Sequence, residues 1–223
     1  MRSSWSISLL AILLAGCVSI KPSHLSRHPS PVTRHASPVT RHVPESQLYK
    51  ATLDIKKHHL TGLMMIKRTD TIRPAEPQSG KGMTAGIYRF VFMNEVGMTF
   101  FDLQLDSGEL KVISCFASMN KKALIKILET DFRMLLSDIS LKNERVYIQE
   151  KTGNIAVSGK TGKYSSWQTW SPGGDTLLIK SGKSTIADPA IIRFENYSEG
   201  TPKKITIENP FIGMKLTLRK LAR

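Results

Sequence analysis

From Tyr49 onward the chain alternates apolar and polar residues. Tyr49, Ala51, Leu53 and Ile55 stand against Lys50, Thr52, Asp54 and Lys56. Successive side chains of a strand point to opposite faces, so this period of two gives the segment one buried and one wet face. The rhythm returns in Tyr88, Phe90 and Phe92 and in Phe101, Leu103 and Leu105, and strand-like runs cover Leu63–Lys67 and Leu110–Phe116. Asn94-Glu95-Val96-Gly97 and Ser107-Gly108 supply turn residues between them, which predicts an antiparallel meander. Shorter runs follow at Arg145–Gln149, Ile155–Ser158, Ser165–Thr169, Thr176–Lys180 and Ile191–Asn196. A last hairpin joins Lys204–Glu208 to Met214–Leu218. One stretch, Asn120–Leu136, has helical spacing, with Leu124, Ile127, Leu128, Phe132 and Leu135 on one face. The expectation is a mainly antiparallel β domain of the α+β class, with about ten strands and one or two helices on one face.

Upstream of this domain the chain is different. Ile7–Ala15 is an apolar run interrupted only by Ser8, preceded by Arg2. It is short of the ~20 apolar residues a transmembrane helix needs. A charged start, a short apolar core and small residues at its end describe a signal peptide, residues 1–16. Leu14-Ala15-Gly16-Cys17 resembles the lipobox of bacterial lipoproteins. That resemblance implies cleavage between Gly16 and Cys17 and acylation of Cys17, with palmitate-type chains holding the protein on a bilayer. Val18 follows the cysteine, not Asp, and Val18-Ser19-Ile20-Lys21 carries no acid. Both features lean towards an outer-membrane anchor with the domain on the periplasmic side.

Residues 17–47 form the second unit. Arg27-His28-Pro29-Ser30-Pro31-Val32-Thr33 is followed by Arg34-His35-Ala36-Ser37-Pro38-Val39-Thr40 and then Arg41-His42-Val43-Pro44. A seven-residue repeat rich in Pro and polar residues has no periodic apolar face to bury, so it reads as a disordered tether. The folded domain is then expected over 48–223. Its charge is high: the chain carries +14, and since Arg2 is the only charged side chain in 1–16, +13 remains from Cys17 on. Nucleic acid is not expected behind an export signal, whereas anionic headgroups suit a basic protein tied to a bilayer.

Catalytic and metal motifs do not assemble. With Cys17 consumed by lipid, Cys115 is left without a partner for a disulfide, and its apolar setting suits a small buried hydrophobe. Gly159-Lys160-Thr161 lacks the glycine that a phosphate-binding loop needs at position 154, where Asn stands. His58 and His59 are adjacent near a hairpin end and cannot easily share a metal on one strand. Asp102, Gln104 and Asp106 fall on the predicted solvent register. The chain is therefore expected to be no enzyme, with no cofactor and no metal. Trp167 and Trp170 are candidates for a membrane or ligand rim, where amphipathic rings are at home.

The layout as a whole resembles the lipoprotein-localisation factors of the LolA/LolB type. The residues that carry the likeness are the signal, lipobox and tether, the aromatic hairpin Tyr88–Leu105, the helix, and the final Lys-Ile-Thr-Ile-Glu-Asn-Pro…Met-Lys-Leu-Thr-Leu hairpin. The resemblance implies an incomplete β-barrel whose concave face holds the helices and an apolar cavity for acyl chains. On that reading Leu53, Ile55, Phe90, Phe92, Phe101, Leu103 and Leu105 offer walls for a lipid or lipoprotein. The alternative is a structural or accessory envelope lipoprotein that docks on a partner through its basic surface.

Overall fold

The computed structural model describes residues 25–27, 46–69, 86–106, 109–136, 141–161, 164–174, 176–184 and 187–221. These form thirteen strands and one α-helix. The strands are β1 Leu25–Arg27, β2 Ser46–Ile55, β3 His58–Arg68, β4 Tyr88–Met93, β5 Thr99–Asp106, β6 Glu109–Cys115 and β7 Lys142–Gln149. They continue as β8 Ile155–Thr161, β9 Tyr164–Trp170, β10 Leu177–Ser184, β11 Ala187–Ser198, β12 Thr201–Asn209 and β13 Met214–Lys220. The helix α1 is Lys122–Leu136, and a 3-10 turn, Pro210–Ile212, links the last two strands.

All the strands belong to one open sheet in the order β1-β7-β8-β9-β10-β11-β12-β13-β2-β3-β4-β5-β6. Every neighbouring pair is antiparallel. The mainly antiparallel β architecture is as the period-two segments imply, and the unclosed sheet is as the LolA/LolB resemblance implies. The strand number exceeds the expected ten because every apolar run named in the sequence forms a strand of its own and β1 adds one more. β1 comes from the segment read as a tether: Leu25, Ser26 and Arg27 pair with Gln149, Ile148 and Tyr147. The Thr69–Thr84 stretch lies almost wholly outside the described residues, as does Ser107-Gly108.

The sheet wraps the helix. In the strand order β10 and β5 are seven places apart, about 34 Å in a flat sheet at ~4.8 Å per strand. A helix is only ~10–12 Å across. Yet Phe132 of α1 lies 4.1 Å from Phe90 on β4 and 6.3 Å from Phe101 on β5, while Met134, two residues on and so on the other side of the helix, lies against Gly182 of β10. Both contacts exist only if the sheet curls around α1. Small residues let it come close. Gly159, Ser166, Gly182 and Ala190 stand in register across β8, β9, β10 and β11. A Cβ on Gly182 would sit 2.9 Å from Met134 Sδ, and one on Gly159 would sit 2.7 Å from Leu141 Cβ.

A bulge in β5 enriches the core. Phe92 pairs with Phe101 and Met93 with Thr99, so Phe100 is the extra residue. It turns to the same side as Phe101, and its ring lies 4.9 Å from that of Phe92. At one edge of the sheet β6 is mostly exposed, with Val112 and Ile113 flanked by Lys111 and Glu109.

Candidate functional site

The concave face gathers the apolar residues singled out in the sequence. Phe90 pairs with Leu103, Phe92 with Phe101, and Tyr88 with Leu105. Leu53 stands further along the sheet, opposite Leu216 and Leu60. All six of Leu53, Phe90, Phe92, Phe101, Leu103 and Leu105 belong to one buried cluster, with Ile55 packed half-buried at its margin. Five of the six have 0 % exposure and Leu105 has 2 %. A side chain with no accessible surface touches neither solvent nor a void that admits water. The residues are brought together, but protein atoms fill the space between them. Leu124, Ile127, Leu128, Phe132 and Leu135 of α1 supply the filling, and Phe132 stacks on Phe90 with the ring planes 3° apart. One helix therefore covers the face that the strand pattern had made appear too wide, because the sheet curls onto it.

A polar pair sits inside this seat. Asp131 of α1 is fully buried, and its Oδ1 accepts a hydrogen bond from Asn209 Nδ2 of β12 at 3.3 Å. Among the described residues Asp131 Oδ2 and Asn209 Oδ1 have no partner. Burial pushes the Asp131 carboxyl up to about 7, with the Asn209 bond pulling the other way. The sequence held a signal for it: Asp131 is three places after Leu128 and four before Leu135, on the apolar stripe itself. Tyr49 is a second polar group in the core, its hydroxyl buried without a partner among the described residues and its pKa raised by desolvation.

The tryptophans part company. They are three residues apart on β9 and do not converge. Trp170 is a core residue and no rim, while Trp167 is 39 % exposed and stacks on Tyr147 at 5.6 Å. Asp102 also differs from its expected place. It is buried and takes a two-pronged ion pair from Arg89, with Nε to Oδ1 at 2.9 Å and Nη2 to Oδ2 at 2.5 Å. The long Arg89 side chain lies over it and removes it from water. Hydrogen bonding and the carboxylate charge raise the Arg89 pKa further. Cys115 is half-buried, and desolvation raises its thiol pKa, which keeps it in the unreactive form. His58 and His59 begin β3, and His59 Nδ1 lies 2.5 Å from Asp54 Oδ1 across the hairpin. Among the described residues no three His, Cys, Asp or Glu side chains are grouped to hold a metal. Gly16 and Cys17 lie outside the described residues.

The convex face and one end of the sheet carry the charge. Lys204 of β12 stands opposite Arg219 of β13, and Arg219 opposite Lys50 of β2. The next row along these strands is threonine: Thr206, Thr217, Thr52 and Thr61. At the same end a cleft of about 380 Å³ is lined by Ser46, Gln47, Ser198, Glu199, Lys203, Lys220 and Leu221. Six of its seven lining residues carry a polar or charged group at the end of the side chain.

No family model matches the sequence, and no curated protein matches it. Among solved structures the chain is similar to a DUF1329 family protein from Desulfovibrio piger, at 13% identity over 79% of this chain and 84% of that one. The TM-score is 0.39, a likeness that decides neither fold nor function.

Proposed function

We propose that the chain is a lipid-anchored protein of the bacterial envelope whose folded part, a half-barrel of the LolA/LolB type, is a non-catalytic docking domain. The observation that carries this reading is the closed concave face. Leu53, Phe90, Phe92, Phe101 and Leu103 have no surface left for a ligand, so partners are met by the outer surfaces, where the cations lie. Anchoring rests on Leu14-Ala15-Gly16-Cys17, and Val18 favours the outer membrane with the domain on its periplasmic side. Among the described residues no helix is long and apolar enough to cross a membrane, and the proposed attachment is through acyl chains at Cys17. Several chains bind a bilayer far more firmly than a single one.

The test is to grow cells with labelled palmitate and fractionate them. The wild-type chain takes up label and stays in the membrane pellet. Cys17→Ser loses both. Retained label and retained membrane association in the variant refute the anchor.

A second reading keeps the acyl chain or lipoprotein as ligand, with α1 as a displaceable plug. One observation favours it: α1 seats a buried carboxylate, Asp131, with one oxygen unpartnered among the described residues, and such a group weakens the seat. A fluorescent fatty acid separates the two. The docking reading expects no saturable binding at micromolar concentrations, and saturable binding replaces it with the plug reading.

A further inference from the structure

We infer that one end of the sheet, carrying Lys50, Lys203, Lys204, Arg219 and Lys220, is a docking surface for the anionic headgroups of the bilayer to which the chain is tethered. The inference rests on the lipid anchor proposed above and names the surface that such an anchor presses onto the membrane.

Three observations converge. The first is a like-charge row. Arg219 stands directly opposite Lys204 on one side and Lys50 on the other. Like charges in that position destabilise a sheet, so nothing in the fold itself calls for them. Lys204 is neutralised by Glu195 at 2.8 Å. Lys50 and Arg219 are exposed and have no acidic partner among the described residues. Lys203 and Lys220 are the neighbours of Lys204 and Arg219 in sequence and line the cleft at this end, where Glu199 is the one acid.

The second observation is direction. Because neighbouring strands are antiparallel, the first residues of β1, β8, β10, β12 and β2 share an end with the last residues of β7, β9, β11 and β13. Lys203, Lys204, Arg219 and Lys220 lie towards that end, Lys50 is level with Arg219 in the fifth position of β2, and Leu25, opposite Gln149, is at the same end. Cys17 stands eight positions before Leu25. Eight residues at full extension reach about 28 Å. The acylated residue is thus leashed to the end of the sheet that carries the cations. Ser46, where the chain re-joins the sheet, lines the cleft at the same end.

The third is chemistry. Exposed Lys and Arg without partners attract a surface of negative potential, and the attraction falls within a Debye length. A tether this short keeps the cations near that layer, so even weak attraction acts at high local concentration.

The test uses the full chain carrying Cys17→Ser, so that no acyl group contributes. It is sedimented with vesicles of phosphatidylcholine alone and with vesicles holding about one third phosphatidylglycerol, and the ratio of the two partition coefficients is read. The apolar N-terminal segment contributes to both and cancels. The wild-type ratio exceeds one and falls as salt is raised. Lys50→Gln/Arg219→Gln lowers it about 25-fold, at about fivefold per cation. Lys56→Asn/Lys57→Gln removes the same charge from the opposite end of β2 and leaves the ratio near wild type. Circular dichroism and melting show that each variant is folded. If the first pair keeps the wild-type ratio, the surface is refuted; if the control pair loses as much as the first, net charge alone explains the binding and the surface is refuted too. Palmitate labelling is read separately on the chain that keeps Cys17, so failure of the surface and failure of the anchor are distinguished.

Discussion

Replacing Asp131 with asparagine is expected to stabilise the protein above neutral pH. The carboxyl is fully buried, and burial raises its pKa from 3.8 to about 7. Between those values the folded state holds a proton that the unfolded state has released. Stability therefore falls as pH rises through the window, and is level above it. The full penalty is about 4 kcal/mol, because each pKa step costs about 1.4 kcal/mol. By pH 5 part of it is already present, so the change between pH 5 and pH 8 is about 2–3 kcal/mol. The hydrogen-bond inventory points the same way. The ionised pair has one bond, from Asn209 Nδ2 to Asp131 Oδ1, and two oxygens, Asp131 Oδ2 and Asn209 Oδ1, left without partners among the described residues. Protonated Asp131, or an asparagine in its place, gains a donor for Asn209 Oδ1. Urea unfolding of both proteins at pH 5 and pH 8, taken as wild type minus variant, cancels every other titrating group. The variant gains by that amount at pH 8 relative to pH 5. The same pH slope in both proteins, or a variant that is weaker at pH 8, refutes the reasoning.

Three other outcomes follow from the packing. Phe132→Ala removes a ring with no exposure that stacks on Phe90 at 4.1 Å, and should cost about 3–5 kcal/mol, a fall of roughly 10 °C in Tm by calorimetry. Gly62→Ala places a Cβ 2.0 Å from the Met93 carbonyl oxygen, whereas the nearest atom to a Cβ at Gly182 is the flexible Met134 Sδ at 2.9 Å; urea midpoints should drop far more for the first than for the second. Arg219→Gln breaks up the like-charge row between Lys204 and Lys50, and its Tm should rise by about 1–2 °C, where a surface substitution with no such neighbours leaves Tm unchanged.

Period two in Tyr49–Ile55, Tyr88–Phe92 and Phe101–Leu105, and the apolar stripe of Leu124–Leu135, determine which residues are strand or helix and which face each buries. Those are local properties, set by the geometry of a pleat and of a 3.6-residue turn. The proposed lipid anchor is local too, read from four consecutive residues, Leu14-Ala15-Gly16-Cys17. What these patterns leave open is which strand lies beside which and what faces the concave wall. Register brings Lys204, Arg219 and Lys50 into one row from three separate stretches of chain, and no periodicity within any one of them announces it. The curl of the sheet sets Phe132 on Phe90 and Asp131 against Asn209, seventy-eight residues apart, and so decides that the apolar wall is a filled core. Asp102 follows its strand's alternation yet is buried, because the Arg89 side chain of a neighbouring strand folds over it. The sign of each face is written along the chain, while burial and charge clustering depend on contacts that only the closed tertiary arrangement makes.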